Sequence, residues 1–180
     1  MILTISDFKG FLGIATADTS GDTQLTSVLQ SAYAEAENRI GRSTLDYSAT
    51  AVVEYHDDPR GRAIKTIYSK LIPIVSVTSL YINETLLAVD SDYYLDNNAL
   101  GVITLESEHN IQDARAVKLT YTAGYSTATF PADLRMAIFS IAINEMRRAR
   151  ISTTQADSQI VLYNRDDITR ILTKYSRVTI

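Results

Sequence analysis

Apolar side chains recur at steps of three and four from Asp22 onward: Leu25, Val28, Leu29, Ala32, Ala36 and Ile40, with Gly41 following. That period predicts an amphipathic helix with one packing face, stopped by a glycine able to take a left-handed conformation. Before it, Phe8, Phe11 and Leu12 stand at helical spacing between Ser6 and Gly13, which predicts a short helix capped by Ser6 and clipped onto the body. Around Ala51 the period changes to two. Seven runs rich in Val, Ile, Thr and Tyr follow, at 51–55, 63–69, 75–83, 85–89, 93–96, 102–106 and 116–122. They predict six or seven short antiparallel strands. Asp57-Asp58-Pro59-Arg60-Gly61, Asn83-Glu84 and Asp96-Asn97-Asn98 are the expected turns between them. In the last run Val117, Leu119 and Tyr121 face one way and Lys118, Thr120 and Thr122 the other, as in a half-buried strand.

Gly124 ends that alternation, and the helical period returns at Pro131, a residue suited to a first turn, with Asp133 favouring the positive end of the helix dipole. Leu134, Ala137, Ile138, Ile141, Ala142 and Glu145 lie on neighbouring turns, and the helix is expected to end in Arg147-Arg148-Ala149-Arg150. A polar stretch, 151–159, leads to a short last helix with Ile168, Ile171, Leu172 and Tyr175 on one face. A helix of that length is unstable alone and must dock on something. The expected class is α+β: a small helical bundle core of two long helices plus short terminal helices, with an inserted antiparallel β-module. The expected organisation is one domain over 1–180, with N-terminal helices in 1–45, the β-module in 51–124, the second core helix in 131–151, and the polar loop and docking helix in 152–180.

Composition narrows what such a fold can do. The chain has 180 residues, enough for one ordinary core, and lacks an apolar run of membrane-spanning length. Its N-terminus does not have the form of a secretory signal, so a soluble protein retained where it is made is expected. With no cysteine, disulfides, thiolate metal sites and cysteine nucleophiles are excluded. The formal charge is −4, but it is uneven: residues from Met146 onward carry seven basic and three acidic side chains, leaving ten basic and eighteen acidic before them. The basic end is the candidate for meeting an acidic partner.

The remaining residues offer few catalytic or cofactor patterns. His56 and His109 are the only histidines, both expected in turns, and they form no metal-binding pair. His56-Asp57-Asp58-Pro59 reads as a solvated turn, and the run from Asp90 to Asp96 lacks the glycine and terminal glutamate of a calcium loop. None of the seven glycines forms a phosphate-cradling motif. No enzyme, no cofactor and no metal site are expected. The Arg147–Arg150 run suits a solvated helix end because the dipole favours cations there, with a nucleic-acid patch as the other reading. Eleven tyrosines beside no tryptophan suggest that some of Tyr55, Tyr68, Tyr81, Tyr93, Tyr94 and Tyr125 face a neighbouring subunit.

The order of these pieces resembles the head-tail connector, or adaptor, proteins of tailed bacteriophages. The residues that carry the resemblance are the first core helix from Asp22 to "RIGRS", then "LIPIVSVTSLYIN", "GVITLE", "VKLTYTAGY" and "PADLRMAI". They span about Asp22 to Arg150. The family implies a structural virion protein of the head-tail neck, assembled in the host cytoplasm. Copies of it would form a dodecameric ring under the portal protein, extend the channel through which packaged DNA passes, and receive the next neck or tail protein. It also implies that the C-terminal segment reaches the portal, with Arg165, Ile168, Arg170, Ile171, Leu172, Lys174, Tyr175 and Arg177 as the binding residues. The β-module is large beside mostly helical members of that family. Other readings are a stopper or tail terminator, or a DNA-binding module using the basic C-terminal region. The same apolar residues could equally serve only to close the subunit's own core.

Overall fold

The computed structural model describes residues 1–57, 63–111, 115–149 and 162–176, which form four helices, seven strands and two compact units, 1–43 with 126–180 and 44–125. The fold class is α+β, as the periodicities predict. In the helical unit, α1 (Ile5–Leu12) is capped two residues earlier than expected. Thr4, not Ser6, is the cap: its side chain accepts from Asp7 N at 3.1 Å while Asp7 Oδ2 accepts from Thr4 N at 2.9 Å. A threonine with an acid three residues on satisfies two otherwise orphaned N–H groups, which Ser6 cannot do with Lys9. Phe8 is fully buried, and the rings of Phe8 and Phe11 each lie 5.2 Å from that of Phe139. Lys9 is buried too; its ammonium donates to Asp18 O at 2.6 Å and pairs with Asp22, tying down the segment that leads to the next helix.

The next helix, α2 (Asp22–Ile40), buries Leu25, Leu29, Ala32, Ala36 and Ile40 as expected and adds Tyr33, whose ring stacks 6.4 Å from that of Phe130. Val28 is half-buried. Gly41, at φ +77°, ends the helix in the left-handed conformation its position requires. α3 (Ala132–Arg148) departs from the one-faced pattern: every residue from Ala137 to Ile143 is buried, along with Leu134 and Met146. A helix buried all round is the centre of its unit rather than a surface element. α4 (Arg165–Tyr175) begins at Asn164, whose side chain accepts from Asp167 N at 2.8 Å, and packs on α3 and α2.

The β-unit contains all seven predicted strands. One sheet runs β1 (Val52–His56), β7 (Val117–Ala123), β3 (Ile74–Ile82), β4 (Thr85–Leu87); the other runs β2 (Ala63–Tyr68), β6 (Val102–Asn110), β5 (Tyr93–Asn97), with antiparallel neighbours throughout. Ile74, Leu80, Ile82, Val117, Leu119 and Tyr121 of the first sheet share one core with Ile67, Tyr93, Ile103 and Leu105 of the second. Two antiparallel sheets sharing a core make a sandwich whose inner faces alternate with outward side chains. The Asn83-Glu84 turn joins β3 to β4 with both residues at positive φ, +47° and +65°, the geometry that suits a two-residue hairpin.

Two details of the sequence reading need correction. His56 and His109 lie in β1 and β6, not in turns, because β6 continues past Glu106 to Asn110 through an irregular pairing with β2. The turn expected at Asp96-Asn97-Asn98 falls two residues later, where Gly101 N donates to Asn98 O at 3.2 Å. Most of the expected turn at Asp57–Gly61, and the polar stretch 151–159, lie outside the described residues.

Gly124 explains itself. Its φ is +108°, and a Cβ there would stand 2.4 Å from Asp46 O. The chain entering and the chain leaving the β-unit run side by side at this point: Tyr47 N donates to Tyr125 O at 2.7 Å and Tyr125 N to Leu45 O at 2.8 Å.

Candidate interaction surfaces

The most deeply buried ionisable cluster is structural. Glu54, on the inward side of β1, accepts from Tyr121 Oη and, at 3.1 Å to each carboxylate oxygen, from Lys70 N; Tyr121 Oη accepts from Leu71 N at 3.0 Å. His56 Nε2 stands 3.4 Å from Glu54 Oε2, an electrostatic contact rather than a well-aligned hydrogen bond. Burial pushes the Glu54 carboxyl up, but the nearby His56 together with the hydrogen bonds from Tyr121 and the Lys70 backbone outweighs it and holds the group below the usual range. Burial and the adjacent Glu54 drive the Tyr121 phenol well above its ordinary value. The cluster pins residues 69–72 to β1 and β7. Among the described residues no group of three or more His, Cys, Asp or Glu could hold a metal ion, and no helix is long and apolar enough to cross a membrane.

The residues expected at a partner contact on α4 divide by side. Ile168, Ile171 and Leu172 are buried among the chain's own helices, whereas Arg165, Arg170 and Lys174 are exposed and Tyr175 is half-buried. Arg177 lies outside the described residues. The end of α4 is latched to the start of α3. Asp133 accepts from Lys174 Nζ at 2.8 Å and from Tyr175 Oη at 2.5 Å, and Arg42 donates to Tyr175 O at 2.5 Å. Burial raises the Asp133 carboxyl, but the bonds from Lys174, Tyr175 and Leu134 N prevail and hold it below the usual range. The Tyr175 phenol is pushed up to about 12, by burial first and then by Asp133. Beside the other end of α4 is a cleft of about 260 Å³ lined by Glu35, Arg39, Glu145, Arg148 and Arg165 among others. Burial and then the neighbouring Glu35 raise the Glu145 carboxyl, even though Ser31 Oγ donates to it at 3.2 Å.

The tyrosines divide in the same way. Tyr93 and Tyr125 are buried within the β-unit, so they are core residues rather than contact candidates; Tyr55, Tyr68 and Tyr94 are each at least 40% exposed. Register places Tyr55 beside Lys118, Lys118 beside Tyr81 and Tyr81 beside Leu86, one row crossing all four strands of the first sheet on its outer side. The Arg115 guanidinium lies 4.7 Å from the Tyr55 ring centre and Lys118 Nζ 5.7 Å from that of Tyr81. These side chains and Glu84 bound a groove of about 460 Å³. On the outer side of the second sheet, Thr66, Thr104 and Tyr94 form a row, flanked by Tyr68 and by exposed Glu106, while Asp96, also exposed, lies at the register shift of β5. Sequence reasoning named the tyrosines but missed Arg115, Lys118 and Leu86. The available signal was an apolar residue at an outward strand position, at Val53 and at Leu86, where alternation calls for a polar one.

A family model described as head completion protein matches residues 1–175. No curated protein matches the chain. Solved structures share its fold across 99% of its length and 91% of theirs: the neck of an empty gene transfer agent particle computed with C6 symmetry (TM-score 0.63, 19% identity) and the neck of a native particle computed with C12 symmetry (0.60, 19%). A chain from the virion of a native gene transfer agent particle matches over the same shares, with a TM-score of 0.60 and 20% identity.

Proposed function

The chain belongs to the head completion protein family, a structural family, and from that premise we propose that it forms a ring beneath the portal of a phage-like particle. The ring extends the DNA channel and offers a docking surface to the next neck or tail protein. The observation that carries this reading is the full-length likeness to subunits of necks with C6 and C12 symmetry, in which copies surround a common axis. A heterologous contact repeated around such an axis closes into a ring.

The outward side of α4 is the portal-facing element in this proposal. Its apolar side is occupied by the helical unit, so a partner would meet Arg165, Arg170 and Lys174, with Arg177 following in sequence. An acidic portal surface complements them, and the contact steers association more than it adds affinity. Light scattering on the purified protein, alone and mixed with portal-bearing particles, tests the reading. The expected result is a stoichiometric ring on the particles. A small oligomer that ignores the portal would overturn it, and DNA binding that weakens steeply with salt would favour a nucleic-acid module instead. Reversing Arg165 and Arg170 to Glu should weaken portal binding while leaving the melting temperature nearly unchanged, because both side chains are exposed.

A further inference from the structure

We propose that Asp133 is an internal counterion that occupies Lys174 in the free subunit, so that an acidic partner must displace it to use that cation. This rests on the portal-facing reading of α4 given above and names a contact that regulates it. Arg165, Arg170 and Lys174 are the exposed cations of α4, and each stands near a carboxylate of its own chain. Arg170 lies 3.3 Å from Asp167 on the same helix, and Arg165 borders the cleft that Glu35 and Glu145 also line. Lys174 is held from another helix: Asp133, at the start of α3, accepts from its ammonium at 2.8 Å. Within α4 three basic residues stand against Asp166 and Asp167, and Asp133 makes the balance three against three. The positive charge that the sequence assigns to this end of the chain is therefore compensated on α4 for as long as Asp133 keeps its place.

The carboxylates are not equivalent. The Arg170 side chain is 80% exposed, and a pair so open to water and ions restrains it little. Asp133 is only 33% exposed and accepts from Lys174 Nζ, Tyr175 Oη and Leu134 N together. It also stands in the first turn of α3, where the helix dipole favours a negative charge, and its bonds keep it ionised at neutral pH. Lys174, in contrast, is 65% exposed, so its ammonium can turn toward a carboxylate of another chain. Nothing else has to move, because Ile168, Ile171 and Leu172 keep α4 buried against its own unit. A partner that meets a group already held binds more weakly by the fraction of time the group is free. A lone carboxylate gains nothing by replacing Asp133, whereas a surface that also meets Arg165 and Arg170 does. The contact thus favours a cluster of acidic groups over a scattered one.

A double-mutant cycle tests this on the whole protein, with two probes: portal-bearing particles and poly-L-glutamate. Asp133→Asn should bind both about threefold more tightly than wild type, the range that releasing one exposed ion pair allows. It should do so while melting at or below the wild-type temperature, so the gain does not come from better folding. Lys174→Gln should then cost about threefold in the Asp133→Asn background and much less in wild type, because in wild type the cation is already taken. Surface charge acting at large would make that cost equal in both backgrounds, which would overturn the proposal. Asp133→Asn binding no more tightly than wild type would overturn it too. If no variant binds the particles but the poly-L-glutamate cycle keeps its coupling, the portal reading falls and the counterion stands. If neither probe binds any variant, both fall.

Discussion

Of the ten large apolar side chains that remain exposed among the described residues, one, Met1, belongs to the helical unit and nine belong to the β-unit. The difference follows from how each unit encloses its centre. In the helical unit, α3 is surrounded and α4 turns its apolar side inward, so three helices consume one another's surface. The sandwich can bury only the inner side of each sheet, and its outer sides retain Tyr55, Leu86, Tyr68 and Tyr94. The helical unit is thus satisfied by its own chain, while the β-unit keeps apolar surface available for a partner.

Substitutions can break or sharpen that contrast. The largest expected effect is on the helical core: Phe8→Ala empties a fully buried site against Phe139 and should cost about 3–5 kcal/mol, read as a fall in denaturant midpoint. Gly124→Ala should cost about 1–3 kcal/mol, because alanine must adopt φ +108° with its Cβ against Asp46 O; calorimetry would detect it. Tyr121→Phe leaves Leu71 N without its acceptor and removes a donor from Glu54, for about 1–3 kcal/mol by urea unfolding. Smaller again is the latch on α4. Asp133 has its folded-state pKa depressed, so its contribution is present above the ordinary aspartate pKa of about 3.9 and is lost as pH falls through the lower folded value. Wild-type melting should therefore decline more steeply below about pH 4 than that of Asp133→Asn, by a few tenths of a kcal/mol at most because Lys174 is exposed. The smallest change in stability is expected on the outer sheet. Tyr55→Ser and Leu86→Ser should alter unfolding by no more than about 0.5 kcal/mol in urea, because both side chains are exposed.

Much of this was legible from period alone. Each of the seven strand runs forms a strand, and Gly41 stops α2 where expected, because alternation and glycine conformation are local properties. The cap at Thr4 is also legible, since Asp7 stands three residues on as a capping box requires, whereas Ser6 has only Lys9 at that spacing. The full burial of α3 could not be read from its own residues, since Ser140 and Phe139 are buried by what surrounds them. The same limit applies to α4. Amphipathicity shows that Ile168, Ile171 and Leu172 need cover but not which chain provides it; here α2 and α3 contribute. The row that sets Lys118 beside Tyr55 and Tyr81, and Tyr81 beside Leu86, emerges only when register aligns four strands, which no single run reveals.

The paired hydrogen bonds at Leu45, Tyr47 and Tyr125 give the β-unit a single doorway. An insertion whose entrance and exit are zipped together can be lengthened, exchanged or removed in one genetic step without stretching the flanking chain.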